Sequence, residues 1–222
     1  MSRYGWVAAV VVLMVGLAGC RAADPSSAAA TPLPTTTKSA APSPKPASPS
    51  AKATGPTTGT GYDPAAFAPQ VRAWAAKTDI SPRLLLAVLY NEAYKPHDPD
   101  LERAWQRLKP DSAFGIANMH RAAFDETKAE HFPNRNWEEL PDDPNLAIQA
   151  AAWYLAGLAD QLPEQRSSSY TKEELLALGY NTGPGNMLAF ARGAHPGAQA
   201  QSYLDHLHAN LPKAEQALAK QD

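Results

Sequence analysis

A glutamate on the apolar face of a helix is the residue from which chemistry in this chain is most readily built. Leu85, Val88 and Leu89 follow Ser81-Pro82 at helical spacing, and Glu92 falls four residues after Val88 and seven after Leu85, on the same face. A carboxyl turned toward a core near a helix C-terminus has two reasons for a raised pKa. Desolvation disfavours its charge, and so does the negative end of the helix dipole. An acid that keeps its proton near neutral pH is what general-acid cleavage of a glycosidic bond requires. The competing reading is a glutamate at a fraying helix end, in water or paired with Lys95. Spacing alone favours that reading, since most glutamates are solvated.

Other groupings carry less. His97, Asp98 and Asp100 lie close together after this helix, and His206 and His208 form a His-x-His pair. Neither group holds an i,i+4 ligand pair or a cysteine, and helix residues two apart face different ways. No metal and no cofactor are expected. Asp111 and Asp125 are candidates for a second carboxylate. Either one, if it faced Glu92 at about 6.5–9.5 Å, would activate water and make a hydrolase. Trp74, Trp105, Trp137 and Trp153 are core or cleft wall, and which of them would stack on a sugar is left open.

The elements that must position these residues read as helices. Asp63-Pro64, Ser81-Pro82 and Asp143-Pro144 each place a capping residue before proline at a first helical position. Thr171 to Glu174 fits a capping box. Phe67, Val71 and Trp74 share one face, and Leu146, Ala150, Trp153 and Leu158 form a long stripe suited to a central packing helix. Leu175, Leu176 and Leu178 lead to Gly179-Tyr180 and a glycine-rich turn, and Tyr203, Leu204 and Leu207 mark a last helix. Beyond residue 60 there are only two valines and three isoleucines. Alanine and leucine dominate, so an all-α domain is expected.

The chain divides into three parts. Residues 1–20 begin with Arg3, run apolar from Val7 to Leu17, and end in Leu17-Ala18-Gly19-Cys20. The apolar run is too short for a comfortable membrane span and reads as an export signal. Its end resembles a bacterial lipobox, which implies lipidation of Cys20. An uncleaved anchor, or an ordinary signal with a chance cysteine, is the alternative. Cys20 is the chain's only cysteine, which excludes an intramolecular disulfide framework and a thiolate zinc cluster.

Residues 21–60 are Ala, Pro, Ser and Thr with eight of the chain's 21 prolines. They cannot bury enough surface to offset chain entropy and are expected to form a disordered tether, with an upper reach of about 120 Å. Residues 61–222 form the folded domain. The whole chain carries −2, and Arg3, Arg21, Asp24, Lys38, Lys45 and Lys52 contribute +4 of that, leaving −6 for the domain. No basic patch supports nucleic-acid binding.

Three blocks follow one another in the domain: Ser81 through Glu92-Ala93, Ser112-Ala113-Phe114-Gly115-Ile116-Ala117-Asn118, and Tyr180-Asn181-Thr182-Gly183-Pro184-Gly185. In order and spacing they resemble the soluble lytic transglycosylase family, which has a lysozyme-like helical fold and acts on peptidoglycan. The resemblance implies that Glu92 protonates the oxygen bridging N-acetylmuramic acid and N-acetylglucosamine. It then takes the proton of the muramyl C6 hydroxyl as a 1,6-anhydro ring closes. It further implies that Tyr180 orients Glu92 or donates a hydrogen bond near it, that Asn181 holds backbone or substrate amides, and that Asn118 contacts the sugar. For Tyr180, Asn118 and Asn181, simple packing around a glycine turn is the alternative.

The chain departs from the family at Ala93, where serine is usual, and at Ala117-Asn118, where Met-Gln is usual. The segment from Glu92 to Ser112 is also longer than usual, so that side of the cleft is expected to be built differently. A lipid-anchored, extracytoplasmic transglycosylase with glycan strands and the membrane as partners is the expectation. A hydrolytic muramidase on the same fold and a catalytically impaired peptidoglycan-binding lipoprotein are the rivals.

Overall fold

The computed structural model of the protein describes residues 62–167 and 169–220. The expected export signal, Cys20 and the expected tether lie outside them. Eight α-helices run α1 (Ala68–Thr78), α2 (Pro82–Glu92), α3 (Pro99–Leu108), α4 (Arg121–His131), α5 (Pro144–Gln161), α6 (Lys172–Thr182), α7 (Pro184–Ala191) and α8 (Ala198–Ala219). The domain is helical, as expected from its composition. Among the described residues a single short antiparallel pair, β1 (Ala113–Phe114) and β2 (Met119–His120), interrupts the helices, with Phe114 opposite Met119.

The helix starts follow their local chemistry. Ser81 Oγ accepts from the Leu84 amide at 3.3 Å and Asp143 Oδ1 from the Leu146 amide at 2.9 Å, each ahead of a proline that needs no donor partner. Thr171 and Glu174 exchange hydrogen bonds of 2.7 and 3.2 Å, completing the capping box. At Asp63-Pro64 the outcome differs from a simple helix start. The aspartate caps a 3-10 turn over Pro64–Phe67, and α1 begins only at Ala68.

In α2 every residue from Leu84 to Leu89 is buried. Each such leucine contributes about 1.5–3 kcal/mol on burial, so the helix that carries Glu92 is anchored on all sides. It packs chiefly on α8 and on α1, while α5 lies against α1, α4 and α6. Along α5 the residues Leu146, Ala150, Leu155 and Leu158 are fully or almost fully buried, whereas Trp153 of the expected stripe is only half-buried.

The third block is more helical than its glycines suggest. α6 continues through Tyr180 and Asn181 to Thr182 and stops at Gly183, whose φ is 86°. Gly179 stays inside the helix because α7 approaches closely there. A Cβ at that position would stand 2.8 Å from Met187 Sδ and 3.2 Å from Leu158 Cδ1.

Candidate active site

Glu92 is the last residue of α2 and is 7% exposed. Its Oε1 accepts from the Tyr203 hydroxyl at 2.9 Å and its Oε2 from Asn118 Nδ2 at 2.9 Å. Burial pushes the carboxyl pKa up. The two hydrogen bonds and the positive charges of Lys95 and His120 pull it down, and burial prevails. The result is a carboxylic acid that holds its proton above the usual carboxylate range, with two donors ready for its charged form.

Each donor is placed by a separate piece of structure. Asn118 closes the turn between β1 and β2 with φ 46°, a left-handed conformation that asparagine tolerates. Its amide donates to the Gly115 carbonyl at 2.9 Å. Lys95 Nζ donates to Asn118 Oδ1 at 2.7 Å, which turns the NH2 side of the amide toward Glu92. The turn itself depends on Gly115. Its φ is 73°, and a Cβ there would meet the Leu140 carbonyl oxygen at 2.8 Å.

Tyr203 arrives from α8 and is held by a chain of buried amides. Asn91 Nδ2 donates to the Tyr203 carbonyl at 3.0 Å, Asn210 Nδ2 to Asn91 Oδ1 at 2.8 Å, and Lys213 Nζ to Asn210 Oδ1 at 2.9 Å. Asn91 and Asn210 are 7% and 8% exposed. Leaving either amide unpaired would cost about 1–3 kcal/mol, so the chain fixes where α8 sits beside Glu92.

Tyr180 lies in this neighbourhood and donates near Glu92 rather than to it. Its hydroxyl donates to the Ala117 carbonyl at 2.7 Å, and its ring meets Tyr154 edge-on with centroids 5.7 Å apart. It secures the turn that presents Asn118, and Tyr203 makes the contact to the carboxylate. Burial and the charge of Glu92 raise both tyrosine hydroxyls well above their ordinary pKa, so both remain donors. Asn181, one residue on, is exposed and takes no part in the hydrogen-bond chain around Glu92. Tyr203 is the site residue that sequence reasoning placed as a helix marker, falling where the family has such an element, without giving it a part in the site. Its contact with Glu92 spans 111 residues, and the only local signal was a tyrosine in a leucine stripe.

Glu92 opens onto a cleft of about 430 Å³ that Lys95, His97, Glu102, Trp105 and Asn118 also line. Glu102 is the other carboxylate there, and both of its oxygens are occupied. Oε2 accepts from the Gly115 amide and Oε1 faces His97 Nδ1, each at 2.7 Å. Neither Asp111 nor Asp125 lines the cleft. Asp111 is exposed, with its carbonyl near His120 Nδ1 at 2.9 Å. Asp125 pairs with Arg121 at 3.4 Å and Lys128 at 4.0 Å.

Most of the remaining candidates have structural partners. Asp98 caps α3 and Asp100 pairs with Arg103. His208 Nε2 lies 2.6 Å from Glu174. Among the described residues, no three His, Cys, Asp or Glu side chains gather where they could hold a metal ion. Of the tryptophans, Trp105 lines the cleft. Trp137 is buried and donates to the Met119 carbonyl at 3.0 Å, Trp74 donates to Asn145 at 2.9 Å, and Trp153 stacks on His131.

No curated protein matches the chain in sequence. The family described as Transglycosylase SLT domain matches it over residues 69–203. That span covers more than half of the chain, begins in α1, includes Glu92, Asn118 and Tyr180, and ends on Tyr203. The chain belongs to the transglycosylase SLT domain family.

Proposed function

We propose that the protein is a membrane-anchored lytic transglycosylase that cuts the bond between N-acetylmuramic acid and N-acetylglucosamine in peptidoglycan without consuming water. Family membership supports the class of substrate and reaction. One observation in the site carries the rest. Glu92 is a buried acid with two donors on its oxygens, and Glu102, the other carboxylate of its cleft, is occupied by Gly115 and His97.

The chemistry runs through one residue. Protonated Glu92 gives its proton to the bridging oxygen as the C1–O bond breaks, and the departing sugar leaves as an alcohol. Negative charge develops on Glu92 at that moment, and the Tyr203 hydroxyl and the Asn118 amide already point at the oxygens where it appears. Donors fixed in advance favour the charged state without reorganising. The substrate's own N-acetyl group shields the oxocarbenium-like carbon, so no second carboxylate is required. Glu92, now ionised, takes the C6 hydroxyl proton as O6 bonds to C1. The anhydro ring closes and the acid is restored.

Mass spectrometry of the muropeptides released from purified sacculi tests this. Products ending in 1,6-anhydromuramic acid, one water lighter than reducing ends, are expected. Reducing ends would make the protein a muramidase, and binding without release would make it a docking module. The anchoring part rests on Cys20 and the 21–60 tether. Cys20→Ser is expected to move the protein from the membrane fraction to the soluble one, and unchanged membrane retention would refute lipidation.

A further inference from the structure

The helix α3 is inside out. Its one buried residue is Gln106, whereas Leu101, Trp105 and Leu108 are 68%, 51% and 71% exposed. With Tyr94, these are the exposed large apolar side chains among the described residues. An amphipathic helix normally turns such a stripe to the core. Here Leu101, Trp105 and Leu108 stand at i, i+4 and i+7, and all three line the cleft that Glu92 and Asn118 share.

The inversion is held by polar groups off the apolar stripe. Glu102 accepts from the Gly115 amide, Gln106 Nε2 donates to the Trp137 carbonyl at 3.4 Å, and Arg103 pairs with Asp142. These contacts fix which face of α3 meets the cleft. They fall in the segment between Glu92 and Ser112.

We propose that the apolar face of α3 covers the glycan at the scissile bond and, by keeping water from C1, determines which nucleophile ends the reaction. This rests on the transglycosylase reading above. The occupant follows from continuity with the Glu92 cleft: an N-acetylated pyranose presents a C–H face to the indole, its acetyl methyl to the leucines, and polar edges to Asn118 and Lys95. Once the C1–O bond has broken, two outcomes compete. O6 of the same sugar bonds to C1 and gives its proton to the Glu92 carboxylate, leaving an anhydro ring. Otherwise a water oxygen bonds to C1 and gives its proton to the same carboxylate, leaving a reducing end. Excluding water favours the first.

The test is the ratio of anhydro to reducing-end muropeptides made by the full chain in mild detergent. It is measured for wild type, Leu101→Ser, Trp105→Ser and Leu108→Ser singly and together, and Arg107→Ser. All three apolar side chains are exposed, so the substitutions leave the core intact. The ratio is expected to fall by about tenfold or more in the combined variant, by less in each single variant, and not at all in Arg107→Ser. An unchanged ratio overturns the proposal, whether or not the total rate drops. If the combined variant releases nothing, the single variants decide by the same criterion. An unchanged ratio with lost binding to phosphatidylglycerol vesicles would assign the face to lipid instead. A wild type that makes only reducing ends refutes the transglycosylase reading itself. A wild type that makes anhydro ends, with variants that do not shift, refutes this proposal alone.

Discussion

Glu92→Gln is expected to reduce the release of glycan fragments from sacculi by about 10³-fold or more while leaving the domain folded, in line with the rate contribution of a positioned general acid. The amide keeps the volume of the carboxyl, so no cavity forms beneath α2. Its oxygen accepts from one of the two donors now on Glu92, and its NH2 meets the other, where the Tyr203 oxygen can accept. What disappears is the transferable proton.

The same substitution has a stability signature with a defined sign. Burial raises the Glu92 pKa in the folded state, so the folded protein binds this proton more tightly than the unfolded chain does. That contribution is fully present below about 4.5, the ordinary glutamate value, and is lost as pH rises through the folded-state pKa. Glu92→Gln has no such loss. Relative to wild type it is expected to gain stability on going from pH 4 to pH 7 in denaturant unfolding. Wild-type turnover in Glu92→Gln would contradict the role given to Glu92, and parallel stability profiles would contradict its burial as the uncharged acid.

Tyr203→Phe is expected to lower kcat by about 10–100-fold, since a hydrogen bond to a charged group contributes about 1.5–3 kcal/mol. The ring and its packing remain. The lost hydroxyl is one of the two donors that favour ionised Glu92, so the carboxyl pKa moves further up. The alkaline limb of the rate profile, which reports loss of the acid's proton, moves to higher pH. Tyr180→Phe provides the contrast. Its hydroxyl serves the Ala117 carbonyl, so its removal acts on the β1–β2 turn and shifts the limb less. Equal displacement by the two variants, or none by either, would show that Tyr203 does not act through the Glu92 carboxylate.

Local chemistry was legible in the sequence wherever the contact is between near neighbours. The starts of α2, α5 and α6 follow from Ser81, Asp143 and Thr171, whose side chains reach amides three residues away. Helical periodicity puts Glu92 on the face of Leu85 and Val88, but spacing alone favours a solvated glutamate, and the resemblance carried by the three blocks makes it the acid. Its partners were less legible. Asn118 stood out by its motif, yet its contact with Glu92 depends on a left-handed backbone and on Lys95 orienting its amide.

Tyr203 and Tyr180 could be told apart only by tertiary placement. Tyr180 ends a leucine-rich stretch and Tyr203 begins one, and the buried Asn91–Asn210 pair decides which hydroxyl meets the carboxylate. The orientation of α3 was equally hidden. The sequence marks only Trp105, as core or cleft wall, and a long segment between Glu92 and Ser112, and the face α3 turns to the cleft is set by Glu102, Arg103 and Gln106, whose partners lie 13, 39 and 31 residues away.

Burial holding the proton on Glu92 is the physical basis of all these expectations, and it can be observed without substrate. Side-chain carboxyl resonances of protein labelled with 13C-glutamate would be followed through a pH titration, with Glu92 identified by the signal missing from Glu92→Gln. The Glu92 carboxyl is expected to titrate above the other glutamates, and higher still in Tyr203→Phe. A Glu92 signal that titrates at the ordinary glutamate value, unmoved by Tyr203→Phe, would contradict the buried acid and the mechanism built on it.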